Sequence, residues 1–189
     1  DQLGEISPIE VVPLLERIGR MEQAGRWVLK QALSECARWR KMTGRQLYVD
    51  VNLSAVQVED SLVDYVLQAL AESGLTPDAL ALELTETTLM HNLDQAIYIC
   101  SSLRHNGVNV AIDDFGTGYS SLNYLRSLPV DIVKVDKSFV YDIENNKFNN
   151  LFIKSINDLA HVMDLCHSVD GVETHRQFEL THGRTVATL

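Results

Sequence analysis

Residues 110–122 read Val-Ala-Ile-Asp-Asp-Phe-Gly-Thr-Gly-Tyr-Ser-Ser-Leu, an apolar run that meets two adjacent acids and then a loop with two glycines. Two neighbouring carboxylates at a strand end repel each other, so a fold that keeps them there usually places a cation between or beside them. Gly116 and Gly118 let the backbone after the pair turn sharply and approach a ligand. Taken alone, the pair also reads as Asp113 capping the next turn with Asp114 solvated. Other groups able to do chemistry lie at intervals along the chain: Asn52, Glu83, Glu86, Lys134, Asp136, Asp170 and Glu173. Carboxylate and amide oxygens such as those of Asn52, Glu83, Asp113 and Asp114 suit hard divalent cations, Mg²⁺ or Mn²⁺. Individually, Asn52 reads equally as a turn residue, Lys134 as a surface charge and Asp136 as a helix cap.

The elements between these residues alternate. Helical periodicity covers 9–18 and 26–40, where Leu29, Leu33 and Cys36, joined by Val28, Ala32 and Trp39, make one apolar face; Trp27 and Trp39 read as core or helix-packing residues. A strand rich in β-formers follows at 47–54, with Asn52 near its end. A helix at 60–73 leads to a strand at 80–85, whose end carries Glu83 and Glu86. A helix at 93–105 leads to a strand at 108–112 that ends in Asp113. A short helical piece at 122–128 precedes a strand at 131–135 holding Lys134, and a helix at 148–163 precedes a strand at 165–169 that ends at Asp170. Polar residues thus recur at strand ends with a helical segment between each and the next, as in a parallel βα-repeat sheet. In a TIM (β/α) barrel such residues meet at the C-terminal mouth, and a doubly wound open sheet is the alternative with the same alternation.

Composition narrows the class. The chain has 189 residues, 46% hydrophobic and 22% charged, as expected of one globular domain. A formal charge of −10 argues against DNA, RNA or an anionic membrane as partner, so an anionic substrate needs bound cations or a placed lysine. Cys36, Cys100 and Cys166 show no paired spacing, which points to reduced thiols in a cytoplasmic setting. No apolar run reaches membrane-spanning length, although a parent protein could still be membrane-tethered. The histidines, His161 and His167 included, lack paired ligand spacing and read as surface or cap residues.

Four ordered motifs carry a resemblance: LELTET at 82–87, DDFGTGYSSLNYL at 113–125, VKVDKSFV at 133–140 and DGVET at 170–174. Together they resemble the EAL domain family of cyclic di-GMP phosphodiesterases, from about residue 6 to residue 177. The resemblance implies a modified TIM barrel, one EAL-type domain over 1–189 that is incomplete at both ends, with about five of eight βα units. It implies hydrolysis of cyclic di-GMP to linear pGpG in bacterial second-messenger signalling at a two-metal site. In that scheme Asn52, Glu83 and Asp113 hold one ion, and Asp113 bridges to a second that Asp114 and Asp170 also touch. Lys134 holds the attacking water or a phosphoryl oxygen, with Asp136 nearby and Asp170 as the presumed base. Glu86 anchors the loop of Phe115, Gly116, Thr117 and Gly118, and Glu173 gives further support. Calcium is expected to occupy the oxygen site and inhibit, since its looser geometry suits an in-line clamp poorly. A homodimer and further signalling domains in a parent protein also follow from the resemblance.

Two departures from the family pattern stand out. Asp170 occupies a position where the family usually has glutamate, which keeps the charge and loses one methylene of reach; a shift of about 1 Å at a reacting centre can cost about a hundredfold in rate. The first-strand glutamate of the namesake motif is not found. These features keep a second reading open, a degenerate EAL domain that serves as a cyclic di-GMP receptor or protein-interaction module.

Overall fold

In the computed structural model, which describes residues 6–118 and 122–181 (122–124 through their backbone), five parallel strands form one sheet in the order β1-β2-β3-β4-β5. The elements are α1 (Pro8–Arg17), α2 (Met21–Thr43), β1 (Val49–Asn52), α3 (Ser61–Ser73), β2 (Leu80–Thr85), α4 (Glu86–His91) and α5 (Leu93–His105), then β3 (Asn109–Phe115), α6 (Leu122–Ser127), β4 (Ile132–Val135), α7 (Lys147–Val162), β5 (Cys166–Val169) and α8 (His175–Thr181). Spatial order equal to chain order distinguishes the sheet from a doubly wound one, in which the order reverses at a switch point. What remains is the arrangement of a TIM-like barrel. Among the described residues it is not closed, β1 and β5 each pairing with a single neighbour.

Strand alternation divides the sheet into two faces. Val51, Leu80, Leu82, Leu84, Val110, Ile112, Val133, Val135 and Val169 join the core formed with residues of α2, α3, α5 and α7 such as Leu33, Val66, Ile99 and Ile153. The opposite face bears Tyr48, Asp50, Glu83, Asn109, Ala111, Ile132, Lys134, Cys166 and Ser168, which line a concave cavity of about 280 Å³. At the N-terminal end of the strands Asp131 ties several elements together. Its carboxylate accepts from Arg104 Nε at 2.8 Å and from the Val110 amide at 2.9 Å, while its own amide donates to the Val110 carbonyl.

Several boundaries differ from the sequence expectation. Helix α4 was not anticipated: Thr85 ends β2 and caps the next turn by accepting from the Thr88 amide, so a helix starts at once at Glu86. Strand β1 is shorter than 47–54, although the Leu53 amide still donates to the Glu83 carbonyl. Trp27 and Trp39, expected as core or helix-packing residues, do not join the core. Trp27 is 65% exposed and Trp39 and Val28 also lie outside, because α2 is apolar on more than one side and the stripe that turns inward is Gly25, Leu29, Leu33 and Cys36. No helix among the described residues is long and apolar enough to cross a membrane.

Candidate active site

Register brings the polar strand ends together. Asn52, the last residue of β1, stands beside Glu83 of β2, and Thr85 stands beside Asp113 of β3. Glu83 is 2% exposed on the inner face, a position that costs several kcal/mol for an unpaired carboxylate. Lys134 of β4 answers it: Nζ donates to Glu83 Oε1 at 2.7 Å, and the same nitrogen lies 3.8 Å from Asp170 Oδ2 just past β5.

The acid pair sits in a β-bulge. Ile112 pairs with Val133 and Phe115 with Val135, so Asp113 and Asp114 together oppose Lys134 alone. A bulge of this kind re-aims side chains, and it requires Asp114 to take φ 55°, a left-handed conformation that aspartate tolerates better than most residues. Local hydrogen bonds hold it: the Asp114 amide donates to Asp113 Oδ1 at 2.9 Å, and Thr117 Oγ1 donates to the Asp114 carbonyl at 2.8 Å. The strand therefore continues past the expected end at 112, and Phe115, expected in the loop, is a buried β3 residue. Paired acids followed by Phe-Gly read as a strand exit, because sequence periodicity does not register an inserted residue.

Electrostatics follow from this crowding. Burial raises the Glu83 carboxyl to about 7, its hydrogen bond and attraction to Lys134 offsetting only part of the effect, with Asp50 and Asp113 adding to the rise. Burial opposes the charge on Lys134, yet the hydrogen bond to Glu83 and the fields of Glu83, Asp170 and Asp113 prevail and raise it. Asp170 is raised by burial, against Lys134 and with Asp113, Asp136 and Asp50. Asp114 is raised by burial and by Asp113, then by Asp136, with which it also hydrogen-bonds, and by Asp170. Asp136 remains below the ordinary carboxylate range: burial pushes it up, but hydrogen bonds from Ser138, the Asp114 side chain and the Lys137 amide outweigh that. Its Oδ1 accepts from the Ser138 amide at 2.9 Å, so the cap reading of Asp136 holds alongside its place in the cluster.

The structure thus gathers Glu83, Asp113, Asp114, Lys134, Asp136 and Asp170 around one mouth. Asn52 joins by register, with no side-chain hydrogen bond to the others among the described residues. Glu173 stays apart, exposed at the turn into α8, where its amide donates to Gln177 Oε1. Beyond the bulge, Gly116 has φ 99°, and a Cβ there would lie 2.6 Å from Phe152 and 2.9 Å from Phe139, whose stacked rings floor the loop. At Gly118 a Cβ would approach Glu86 Oε2 at 3.0 Å, so buried Glu86 lies directly beneath the loop. Residues 119–121 of the motif lie outside the described residues.

Sequence reasoning passed over Asp50, whose field reaches both Glu83 and Asp170. The alternation Tyr48, Asp50, Asn52 against Val49, Val51, Leu53 carried the signal. His167 also departs from the expected surface role: it is 7% exposed and its pKa is lowered by burial. Asp and Asn oxygens crowded around one ammonium match hard divalent ions in donor chemistry. In this conformation Glu83 is turned onto Lys134, and among the described residues no group of three or more His, Cys, Asp or Glu side chains is arranged to hold a metal ion.

The EAL domain model matches residues 1–186. The chain belongs to the EAL family. It is 38% identical over 179 residues to the bifunctional diguanylate cyclase/cyclic di-GMP phosphodiesterase MucR of Pseudomonas aeruginosa, covering 94% of this chain and 26% of MucR. It is 41% identical over 175 residues to the cyclic di-GMP phosphodiesterase NbdA of the same organism, covering 92% of this chain and 22% of NbdA. The chain therefore spans about a quarter of the length of these curated relatives. Among solved structures, the MucR phosphodiesterase in complex with cyclic di-GMP superposes with a TM-score of 0.88 at 38% identity, over 95% of this chain and 73% of that one. The EAL domain of Mycobacterium smegmatis DcpA gives a TM-score of 0.77 at 39% identity, over 82% of this chain and 71% of that domain. These EAL neighbours agree with a TIM-barrel-like α/β fold, and phosphodiesterases of the family generally depend on divalent metal ions.

Proposed function

We propose that this EAL chain hydrolyses cyclic di-GMP to linear pGpG with Mg²⁺ or Mn²⁺. The observation that carries the reading is the bulge, which sets Asp113 and Asp114 against Lys134 with Glu83 and Asp170 on either side. Bound divalent ions would polarise a phosphoryl oxygen and make water acidic enough to attack at neutral pH. Asn52, Glu83, Asp113, Asp114 and Asp170 are the residues that would hold them. The Lys134 ammonium, charged at neutral pH, holds an anionic phosphoryl oxygen or the attacking water. Asp170, beside Lys134 at the same mouth, accepts that water's proton. Asp136, anchored on the Ser138 amide, orients Asp114 through their shared hydrogen bond. Glu86 supports the loop at 115–118 from below.

A receptor without turnover is the second reading, and Asp170 favours it: its carboxylate stands 3.8 Å from Lys134, beyond hydrogen-bond distance. The two readings separate in one assay. As an enzyme, the purified protein forms pGpG with Mg²⁺ or Mn²⁺, forms little with Ca²⁺, and gains rate on Asp170→Glu. Binding of cyclic di-GMP with no pGpG from either form, with either metal, overturns the enzyme reading. Cytoplasmic location, a homodimer and further signalling domains in a parent protein are part of the same proposal, supported by family membership.

A further inference from the structure

Asn52, like Asp170, is a proposed ligand whose side chain makes no hydrogen bond to the other site groups among the described residues, so its position depends on the backbone that carries it. That backbone leaves β1 through a short 3-10 turn at Ala55–Gln57 with a reciprocal cap: the Ser54 amide donates to Gln57 Oε1 at 3.1 Å, and the Gln57 amide returns to Ser54. Gln57 is only 6% exposed, unusual for a glutamine on a turn. Its amide presses on α2 at Gly25. A Cβ at Gly25 would stand 1.9 Å from Gln57 Nε2 and 2.7 Å from Cδ, so the Gln57 side chain would have to leave its seat to admit one. Gly25 has an ordinary helical φ, and glycine inside a helix is less favourable than alanine. The glycine is therefore there for space and not for conformation. Glu16 of α1 reaches the same turn through a hydrogen bond from Ser54 Oγ.

We infer that Gln57, seated on Gly25, is a positioning residue that fixes the exit of β1 and so presents Asn52 to the metal site; the inference rests on the functional reading above. Groups that orient a metal ligand from behind typically change metal affinity on the order of tenfold to a hundredfold when removed. In the intact protein, Mn²⁺ alone is titrated and free ion followed by electron paramagnetic resonance, with folding checked by thermal melting. Gln57→Ala and Gly25→Ala should each weaken Mn²⁺ binding about tenfold. The double variant should be no weaker than Gln57→Ala, since truncation removes what the new methyl would strike. Ile99→Val, a core truncation on α5, should lower the melting temperature and leave Mn²⁺ binding in place. Losses that multiply in the double variant, or Mn²⁺ binding unchanged in Gln57→Ala while Asn52→Ala weakens it, overturn the positioning role alone. Mn²⁺ binding that ignores Asn52→Ala overturns the functional reading of Asn52 and this inference with it.

Discussion

The two faces of the sheet are built from the same strands and obey opposite rules. On the helix-covered face, Leu80, Leu82, Leu84, Val110, Ile112 and Val133 are at most 1% exposed and packed among helical side chains. On the concave face the neighbouring strands carry Asp50, Glu83 and Asp113, carboxylates that repel one another and that Lys134 offsets only in part. One face stabilises the fold; the other holds unfavourable charge in place because the first is strong enough to keep it there. The β3 bulge is where the two meet. Phe115 returns the strand to the core after Asp113 and Asp114 have been presented to the mouth.

The largest expected effect lies on the covered face. Leu82→Ala removes a fully buried side chain and should cost about 2–5 kcal/mol in denaturant unfolding, while the hydrolysis rate per folded molecule stays near that of the parent. A selective loss of rate at unchanged stability would show that the faces are not separable.

Next comes Lys134→Met, which strands Glu83 without its partner. Breaking a buried pair by removing one member costs about 3–5 kcal/mol when the other stays charged. Glu83 is already raised to about 7 by burial, so it escapes that cost by taking up a proton. Its folded pKa lies above the unfolded value, so the folded state binds more protons and stability falls as pH rises from the ordinary carboxylate range toward 7. Destabilisation by Lys134→Met should therefore be large at pH 8 and small at pH 5 in chelator. A loss independent of pH would mean that Lys134 acts through packing alone.

The smallest effect belongs to His167, at the edge strand. Its folded pKa is depressed by burial, so its neutral form is favoured and stability is lost as pH falls below about 6.5, the opposite sign to Glu83. His167→Gln should flatten the acid side of the stability profile measured by thermal melting, and an unchanged slope would assign that sensitivity to the carboxylates.

The legibility of the molecule in its sequence follows the same division. The covered face announces itself by periodicity, and Leu80–Thr85 and Leu93–His105 fall on the expected boundaries because their apolar patterns and flanking stops agree. Glu83, Asp113, Lys134 and Asp170 were found because they recur at strand ends within ordered motifs. The bulge was not, since Asp113 and Asp114 look like the end of a strand until the pairing of Phe115 with Val135 is seen. Trp27 and Trp39 misled because a helix with apolar residues on several sides does not say which side is covered. His167 misled because a four-residue edge strand is too short for its alternation to read clearly.

In the proposed function Asp113 serves the reaction at the expense of the fold. Asp113→Asn retains the oxygen that accepts from the Asp114 amide and removes one charge from a cluster that includes Glu83, Asp114 and Asp170. Thermal melting in chelator and pGpG formation with Mn²⁺ should be measured on the same preparation. A higher melting temperature and a rate lower by about a hundredfold or more are expected. A variant that melts lower than the parent and still hydrolyses cyclic di-GMP at a similar rate would contradict that role.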